Sequence, residues 1–181
     1  MRSLKRFLSA ILIFALVLSL LPSLAAPQAK AATGYDLGYA GGMAGTGTIL
    51  AHGVDISEHQ GSGFNFQNLV DNGYTYVILR CGFYKRMDYC FEEYYAAAKA
   101  VGLNVGTYFY SYAATAEEAA AEADLCLSYI AGKTFEYPVY FDFEDSTAGG
   151  VGGSGAYDIC MAFMDKIAAA GYLTGLYSYA A

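Results

Sequence analysis

Histidine and tryptophan are scarce in this sequence of 181 residues, which contains two histidines and no tryptophan. The histidines, His52 and His59, are not accompanied by a G-x-S-x-G motif or by a cysteine partner, so the usual serine and cysteine hydrolases are excluded. No C-x-x-C motif or cysteine–histidine cluster suggests zinc. Proton transfer in this protein therefore depends on carboxylates.

The first 31 residues have the three parts of a secretory signal peptide. "MRSLKR" is basic, "FLSAILIFALVLSLL" is apolar, and Ala29 to Ala31 form an A-x-A cleavage signal. An uncleaved membrane anchor is the alternative, but this apolar run is shorter than the ~20 residues that span a bilayer. We expect residues 1–31 to be removed and the mature protein to be secreted, without stable membrane association.

Basic residues are few as well. The chain has 10 basic and 17 acidic residues. Loss of Arg2, Lys5, Arg6 and Lys30 with the signal peptide would leave six basic residues and a formal charge of −11. Such a chain does not resemble a protein that follows phosphates, so nucleic acid is not an expected partner.

The four cysteines, Cys81, Cys90, Cys126 and Cys160, allow up to two disulfides in a secreted chain, with three possible connectivities. We favour the pair Cys81–Cys90, because these residues flank a short loop. Cys126 and Cys160 lie on apolar helix faces, where buried free thiols are equally expected. The pairing stays open from the sequence.

The chain alternates strand and helix patterns after a glycine-rich linker or N-terminal arm at 32–51. Each of four helical patterns ends at a glycine, and the third opens with a capping box, Thr115 and Glu118. Strand-like runs occupy 52–57, 74–80, 103–110, 137–144 and 172–179. This spacing predicts an α/β fold with a parallel sheet, either doubly wound or the first part of a β/α barrel.

Polar and aromatic side chains gather at the carboxyl ends of these strands, where parallel sheets bind ligands. Residues at i and i+2 share a strand face. We therefore expect one cleft to contain the following residues: Asp55, Tyr108, Tyr110, Asp142, Glu144, Tyr177 and Tyr179. Arg80 is expected to be a structural counter-charge, and His59 a rim or surface residue.

Two neighbouring carboxylates shift each other's pKa, so that one stays protonated near neutrality. An acid and a charged carboxylate beside tyrosines that stack on sugars suit cleavage of a glycosidic bond. Three alternatives remain. The D-x-E spacing occurs by chance, Asp55, Asp142 and Glu144 could bind magnesium or calcium, and Tyr108 and Tyr110 could fill the core.

Five motifs in order resemble glycoside hydrolase family 25, the muramidase class of lysozymes. They are "HGVDISEHQG", "YVILRCGF", "AKAVGLNVGTYFYSYA", "AEEAAAEAD" and "PVYFDFED". The resemblance implies an irregular, TIM-like β/α barrel and hydrolysis of the β-1,4 bond between N-acetylmuramic acid and N-acetylglucosamine. It implies peptidoglycan glycan strands as the partner, a cell-wall location, a monomer and no cofactor.

The resemblance also implies roles for individual residues. Glu144 matches the general acid, and Asp142 the carboxylate that orients the substrate's acetamido group or activates water. Asp55 matches the acid of the first strand. Tyr108, Tyr110 and Tyr177 match the aromatic wall that binds substrate.

The sequence departs from the family pattern in two respects. His59 replaces a usual tryptophan, and the family's last strands, with a further acidic residue, have no counterpart in residues 52–181. We therefore expect residues 52–181 to be an incomplete catalytic domain, from a longer product or a degenerate copy. If they are the whole domain, we expect weak folding and little activity. The alternative function is a non-catalytic or vestigial wall-binding module.

Overall fold

The structure is a computed structural model that describes residues 50–144 and 153–178. The strands are β1 Gly53–Ile56, β2 Tyr76–Phe83, β3 Arg86–Met87, β4 Asn104–Tyr110, β5 Val139–Asp142 and β6 Thr174–Tyr177. The helices are α1 Phe66–Asp71, α2 Phe91–Ala100, α3 Ala116–Tyr129 and α4 Gly153–Ala169, with a 3-10 turn at Glu58–Gln60.

The predicted signal peptide, most of the predicted linker and Tyr179 lie outside the described residues. None of the helices in the described ranges is long and apolar enough to cross a membrane.

The parallel strands follow the chain in the order β1, β2, β4, β5, β6. Each of these strands therefore neighbours the next one in sequence, which is the order of a β/α barrel, whereas a doubly wound sheet reverses its order at a switch point. Among the described strands, β1 and β6 each have one neighbour, so the sheet is open between them. The predicted α/β fold with five parallel strands and four helices is confirmed.

The second strand is longer than predicted. It continues to Phe83 and turns back through a two-residue loop into β3, which pairs with it antiparallel. A register shift between Arg80 and Gly82 places a bulge at Cys81. The sequence pattern ended this strand at residue 80, because a short hairpin of two paired residues has too few positions to show an alternation.

Each helix ends as the sequence predicts. Gly73, Gly102, Gly132 and Gly171 follow the four helices with positive φ, a backbone conformation that glycine adopts without a steric penalty. Thr115 caps α3 by accepting a hydrogen bond from the Glu118 amide at 3.2 Å. The Glu118 carboxylate accepts a hydrogen bond from the amide of Ala114 at 2.8 Å. In a standard capping box this carboxylate would accept from the amide of the cap residue itself, which here is Thr115.

The core lies between one face of the sheet and the helices. Phe109 and Phe141 point from β4 and β5 towards α4, where the Phe163 ring stacks on Phe141 at a centroid distance of 4.4 Å. All three rings are fully buried, and burial of one such side chain stabilises the fold by about 1.5–3 kcal/mol. The opposite face of the sheet lines a cleft.

The expected disulfide Cys81–Cys90 is not formed. All four cysteines are free and buried, and Cys81 Sγ lies 3.7 Å from Cys126 Sγ of α3. Cys81 points towards the helices from its bulge in β2, whereas Cys90 precedes α2. The expectation was wrong because nearness in sequence does not determine which way two side chains point.

Candidate active site

A cleft of about 530 Å³ opens at the carboxyl ends of the parallel strands. Strand alternation sends Leu79, Phe109 and Phe141 to the core and their neighbours to the cleft. Of the seven residues predicted for the cleft, the six that the structure describes line it: Asp55, Tyr108, Tyr110, Asp142, Glu144 and Tyr177. The structure thus brings them together, and their individual roles remain predictions.

Asp142 is the most enclosed carboxylate of the cleft, with 6% of its surface exposed. Its Oδ1 atom has no hydrogen-bond partner within the described part of the chain. Burial, followed by the charges of Glu144 and Asp55, raises the pKa of Asp142 to about 7, and the Arg80 charge partly opposes the shift. Near neutral pH, this carboxyl is therefore close to half protonated.

The raised pKa of Asp142 affects the choice between Asp142 and Glu144 as the general acid. Asp142 and Glu144 stand at i and i+2 at the end of β5 and face the same cleft. The resemblance assigns the acid to Glu144, whereas the large pKa shift falls on Asp142. The charge of Glu144 is one cause of that shift, so the two carboxyls interact electrostatically.

Tyrosines form the wall of the cleft. Tyr110 and Tyr177 are the register partners of Asp142 on its two neighbouring strands. Tyr108 lies next to Arg80 in the ladder, and burial raises its pKa well above the usual range, so its hydroxyl is neutral. Tyr108 and Tyr110 line the cleft, whereas the alternative prediction was that they fill the core.

Arg80 reaches the cleft from an ion-pair network. Its Nε donates to Asp88 Oδ2 at 2.8 Å, and its Nη2 lies 3.4 Å from Glu58 Oε1. Arg86 also pairs with Glu58 and lowers the pKa of that carboxyl to about 2. Arg80 is thus a counter-charge, as predicted, although for Asp88 and Glu58. Its buried Nη2 lacks a hydrogen bond in the described structure.

Two tyrosines of the cleft, Tyr76 and Tyr140, were not predicted from the sequence. Ser57, which the alternation places on the same face of β1 as Asp55, also lines the cleft, and His59 lies exposed at its rim, as predicted. Tyr140 stands two residues before Asp142, so the alternation that selected Asp142 would also have found Tyr140. Within the described residues, no three histidine, cysteine, aspartate or glutamate side chains form a group that could hold a metal ion.

Comparison with known proteins identifies the family of this chain. The pattern of Glycosyl hydrolases family 25 matches residues 54–181. The modular autolysin LytC from Streptococcus pneumoniae is 27% identical with a TM-score of 0.67, over 74% of this chain and 33% of that one. The modular Cpl-1 endolysin is 26% identical with a TM-score of 0.57, over 71% of this chain and 36% of that one.

A family 25 lysozyme from Aspergillus fumigatus shares the fold, with 23% identity and a TM-score of 0.59 over 71% of this chain and 65% of that one. No curated protein matches the chain. The chain spans about a third of the length of LytC and Cpl-1. Because the family pattern covers most of its residues, the chain belongs to glycosyl hydrolase family 25.

Proposed function

We propose that this protein is a secreted peptidoglycan hydrolase that cleaves the β-1,4 bond between N-acetylmuramic acid and N-acetylglucosamine. The observation that carries the proposal is the pair Asp142 and Glu144, which lies beside Asp55 in a cleft walled by tyrosines. A paired carboxyl that keeps its proton to about pH 7 is suited to protonate a leaving oxygen.

The solved relatives support the choice of substrate. LytC has been solved with a synthetic peptidoglycan ligand, and Cpl-1 with a peptidoglycan analogue. The cleft of this chain offers tyrosine rings for sugar faces and the carboxyl of Asp142, whose Oδ1 has no hydrogen-bond partner in the described structure, for a polar group of a ligand. Buried polar atoms without partners are costly, so a ligand that satisfies them is favoured.

In the mechanism, Glu144 gives the proton of the carboxyl pair to the glycosidic oxygen as the bond breaks. Asp142, ionised once the proton resides on Glu144, orients the acetamido group of the substrate as an internal nucleophile or activates a water. Asp55 adds negative charge beside Asp142, which helps the pair to retain one proton. Turnover should fall as pH rises through about 7, because the pair then loses that proton.

The test compares release of reducing ends from purified peptidoglycan by the full chain and by Glu144→Gln, with mass spectrometry of the fragments. We expect muramic acid at the new reducing ends and a loss of about 10²–10⁴-fold in rate for Glu144→Gln. Glu117→Gln, an exposed carboxylate of α3, is the matched control. A folded chain that sediments with peptidoglycan but releases nothing would contradict the proposal and indicate a binding module.

Secretion is tested separately by the mass of the protein in the culture medium. Removal of residues 1–31 gives a mature chain that begins at Ala32. Recovery of the protein only in cells, with residues 1–31 retained, would overturn this part of the proposal.

A further inference from the structure

The β2–β3 hairpin carries two exposed side chains at its tip, Tyr84 and Lys85. Tyr84 has 55% of its surface exposed and a φ of 52°, the only positive φ of a non-glycine residue in the described chain. Such a backbone conformation costs roughly 1–2 kcal/mol for a residue with a Cβ, and glycine is the usual choice in a two-residue hairpin loop. An exposed aromatic ring held at this cost points to a binding role.

Tyrosine rings connect this tip to the cleft. Tyr110, which lines the cleft, lies 5.3 Å from the ring of Tyr112, and Tyr112 lies 6.0 Å from the ring of Tyr84 in an edge-to-face arrangement. Tyr112 has 40% of its surface exposed. The three rings therefore continue the aromatic wall of the cleft onto the hairpin.

A buried carboxylate holds the backbone of Tyr112, the middle residue of this row of three rings. Glu122 of α3 accepts a hydrogen bond from the Ser111 hydroxyl at 2.6 Å and another from the Tyr112 amide at 3.0 Å. Burial raises the pKa of Glu122, and the two hydrogen bonds oppose the shift. The backbone that carries Tyr112 is thus positioned before any ligand binds.

Lys85 supplies a cation at the end of the row. The other five basic side chains of the described chain each pair with a carboxylate, whereas Lys85 has no carboxylate within ion-pair distance there. Its Nζ lies 5.3 Å from the centroid of the Tyr84 ring. Three of the six basic residues beyond residue 31, Arg80, Lys85 and Arg86, fall within seven positions of an acidic chain.

We propose that Tyr112, Tyr84 and Lys85 form a second binding site for the polymer held in the cleft. A pyranose ring of the glycan packs on the two exposed tyrosine rings, and the Lys85 ammonium binds a carboxylate of a peptide attached to the glycan. The choice of polymer rests on the proposed function. Sugar stacking uses the ring faces, and the one unpaired cation of the described chain selects an anionic substituent.

The test measures the affinity of the full chain, in the Glu144→Gln background, for three probes. They are an N-acetylglucosamine hexamer, a soluble peptidoglycan glycan fragment with free peptide carboxylates, and that fragment with its carboxylates amidated. Tyr84→Gly removes the ring and also relieves the positive φ, so its Tm should be unchanged or higher. Tyr157→Ala, an exposed tyrosine of α4, is the matched control.

We expect Tyr84→Gly to weaken binding of all three probes by about 3–10-fold. Lys85→Ala should weaken binding of the fragment with free carboxylates by about 2–5-fold and leave the other two probes unchanged. Unchanged affinity in both variants would overturn the second site.

The outcome for the second site is separable from that for the proposed function. Cleavage by the unsubstituted chain, without any effect of Tyr84→Gly or Lys85→Ala on binding in the Glu144→Gln background, overturns the second site and leaves the hydrolase. Binding losses in both variants, together with no cleavage by the unsubstituted chain, support the site and overturn the hydrolase. If the unsubstituted chain does not cleave and the Glu144→Gln chain binds none of the probes, both proposals are overturned.

Discussion

Tyr110 and Asp142 are register partners on the neighbouring strands β4 and β5, and the amide of Ser111 donates to the carbonyl of Asp142 at 2.9 Å. Tyr177 pairs with Asp142 on the other side. Backbone ladder bonds thus place the carboxylate between two aromatic residues. The wall of the cleft is a property of strand register, so a substitution that leaves the register intact changes one group without moving its neighbours.

Asp142→Asn should stabilise the folded chain at high pH. The folded pKa of about 7 exceeds the ordinary value of 3.8, so the folded chain binds the extra proton between these values. The stabilisation of the folded chain by this proton is fully present below pH 3.8 and is lost as pH rises through about 7. We expect Asp142→Asn to gain about 2 kcal/mol at pH 8, after allowance for solvent screening in an open cleft, and little at pH 3.5.

Urea unfolding at the two pH values measures this difference, and Asp165→Asn on the exposed surface of α4 is the control. An equal effect of Asp142→Asn at both pH values would show that the carboxyl does not retain its proton on folding.

Asp88→Ala should destabilise the fold by about 3–5 kcal/mol, because it leaves the buried Arg80 guanidinium without its closest carboxylate. Asp88 also accepts hydrogen bonds from the amides of Glu58 and Cys90. Adding Arg80→Met should recover part of the loss, since the unpaired charge is then gone. Denaturant unfolding of both variants tests this, and a double variant less stable than Asp88→Ala would refute it.

Glu122→Ala should cost about 2–3 kcal/mol, because the Ser111 hydroxyl and the Tyr112 amide lose their shared acceptor. Glu122→Gln keeps one carbonyl acceptor and should lose about half as much. Unfolding free energies of the two variants decide the point. Equal losses in both would mean that the negative charge matters and the hydrogen bonds do not.

Oxidation should join Cys81 to Cys126, whose sulfur atoms lie 3.7 Å apart. The hydrogen bond with Cys81, followed by burial, raises the pKa of Cys126, so the reactive thiolate is scarce in the folded chain. Refolding with oxidised glutathione supplies the oxidant: the two thiols give up two electrons and two protons, and glutathione disulfide becomes two thiols. Peptide mapping without reductant should find Cys81–Cys126. Recovery of Cys81–Cys90 would contradict the structure.

Local patterns determined much of this protein. Alternation along each strand selected Asp142, Glu144, Tyr108 and Tyr110 for one face, because a strand has a period of two wherever it is placed. A glycine follows each of the four described helices, and the sequence predicted these helix ends because glycine adopts a positive φ without a steric penalty. The carboxyl ends of parallel strands share one edge, so the shared cleft also followed from the sequence.

Tertiary structure decided the features that join distant residues. Strand order separated the barrel from the doubly wound sheet, because both have the same alternation of strand and helix. The proximity of Cys81 to Cys126, the hold of Glu122 on Tyr112 and the rise in the pKa of Asp142 all depend on packing between separate elements. Burial and contact distance are properties of the folded chain, and no local pattern carries them.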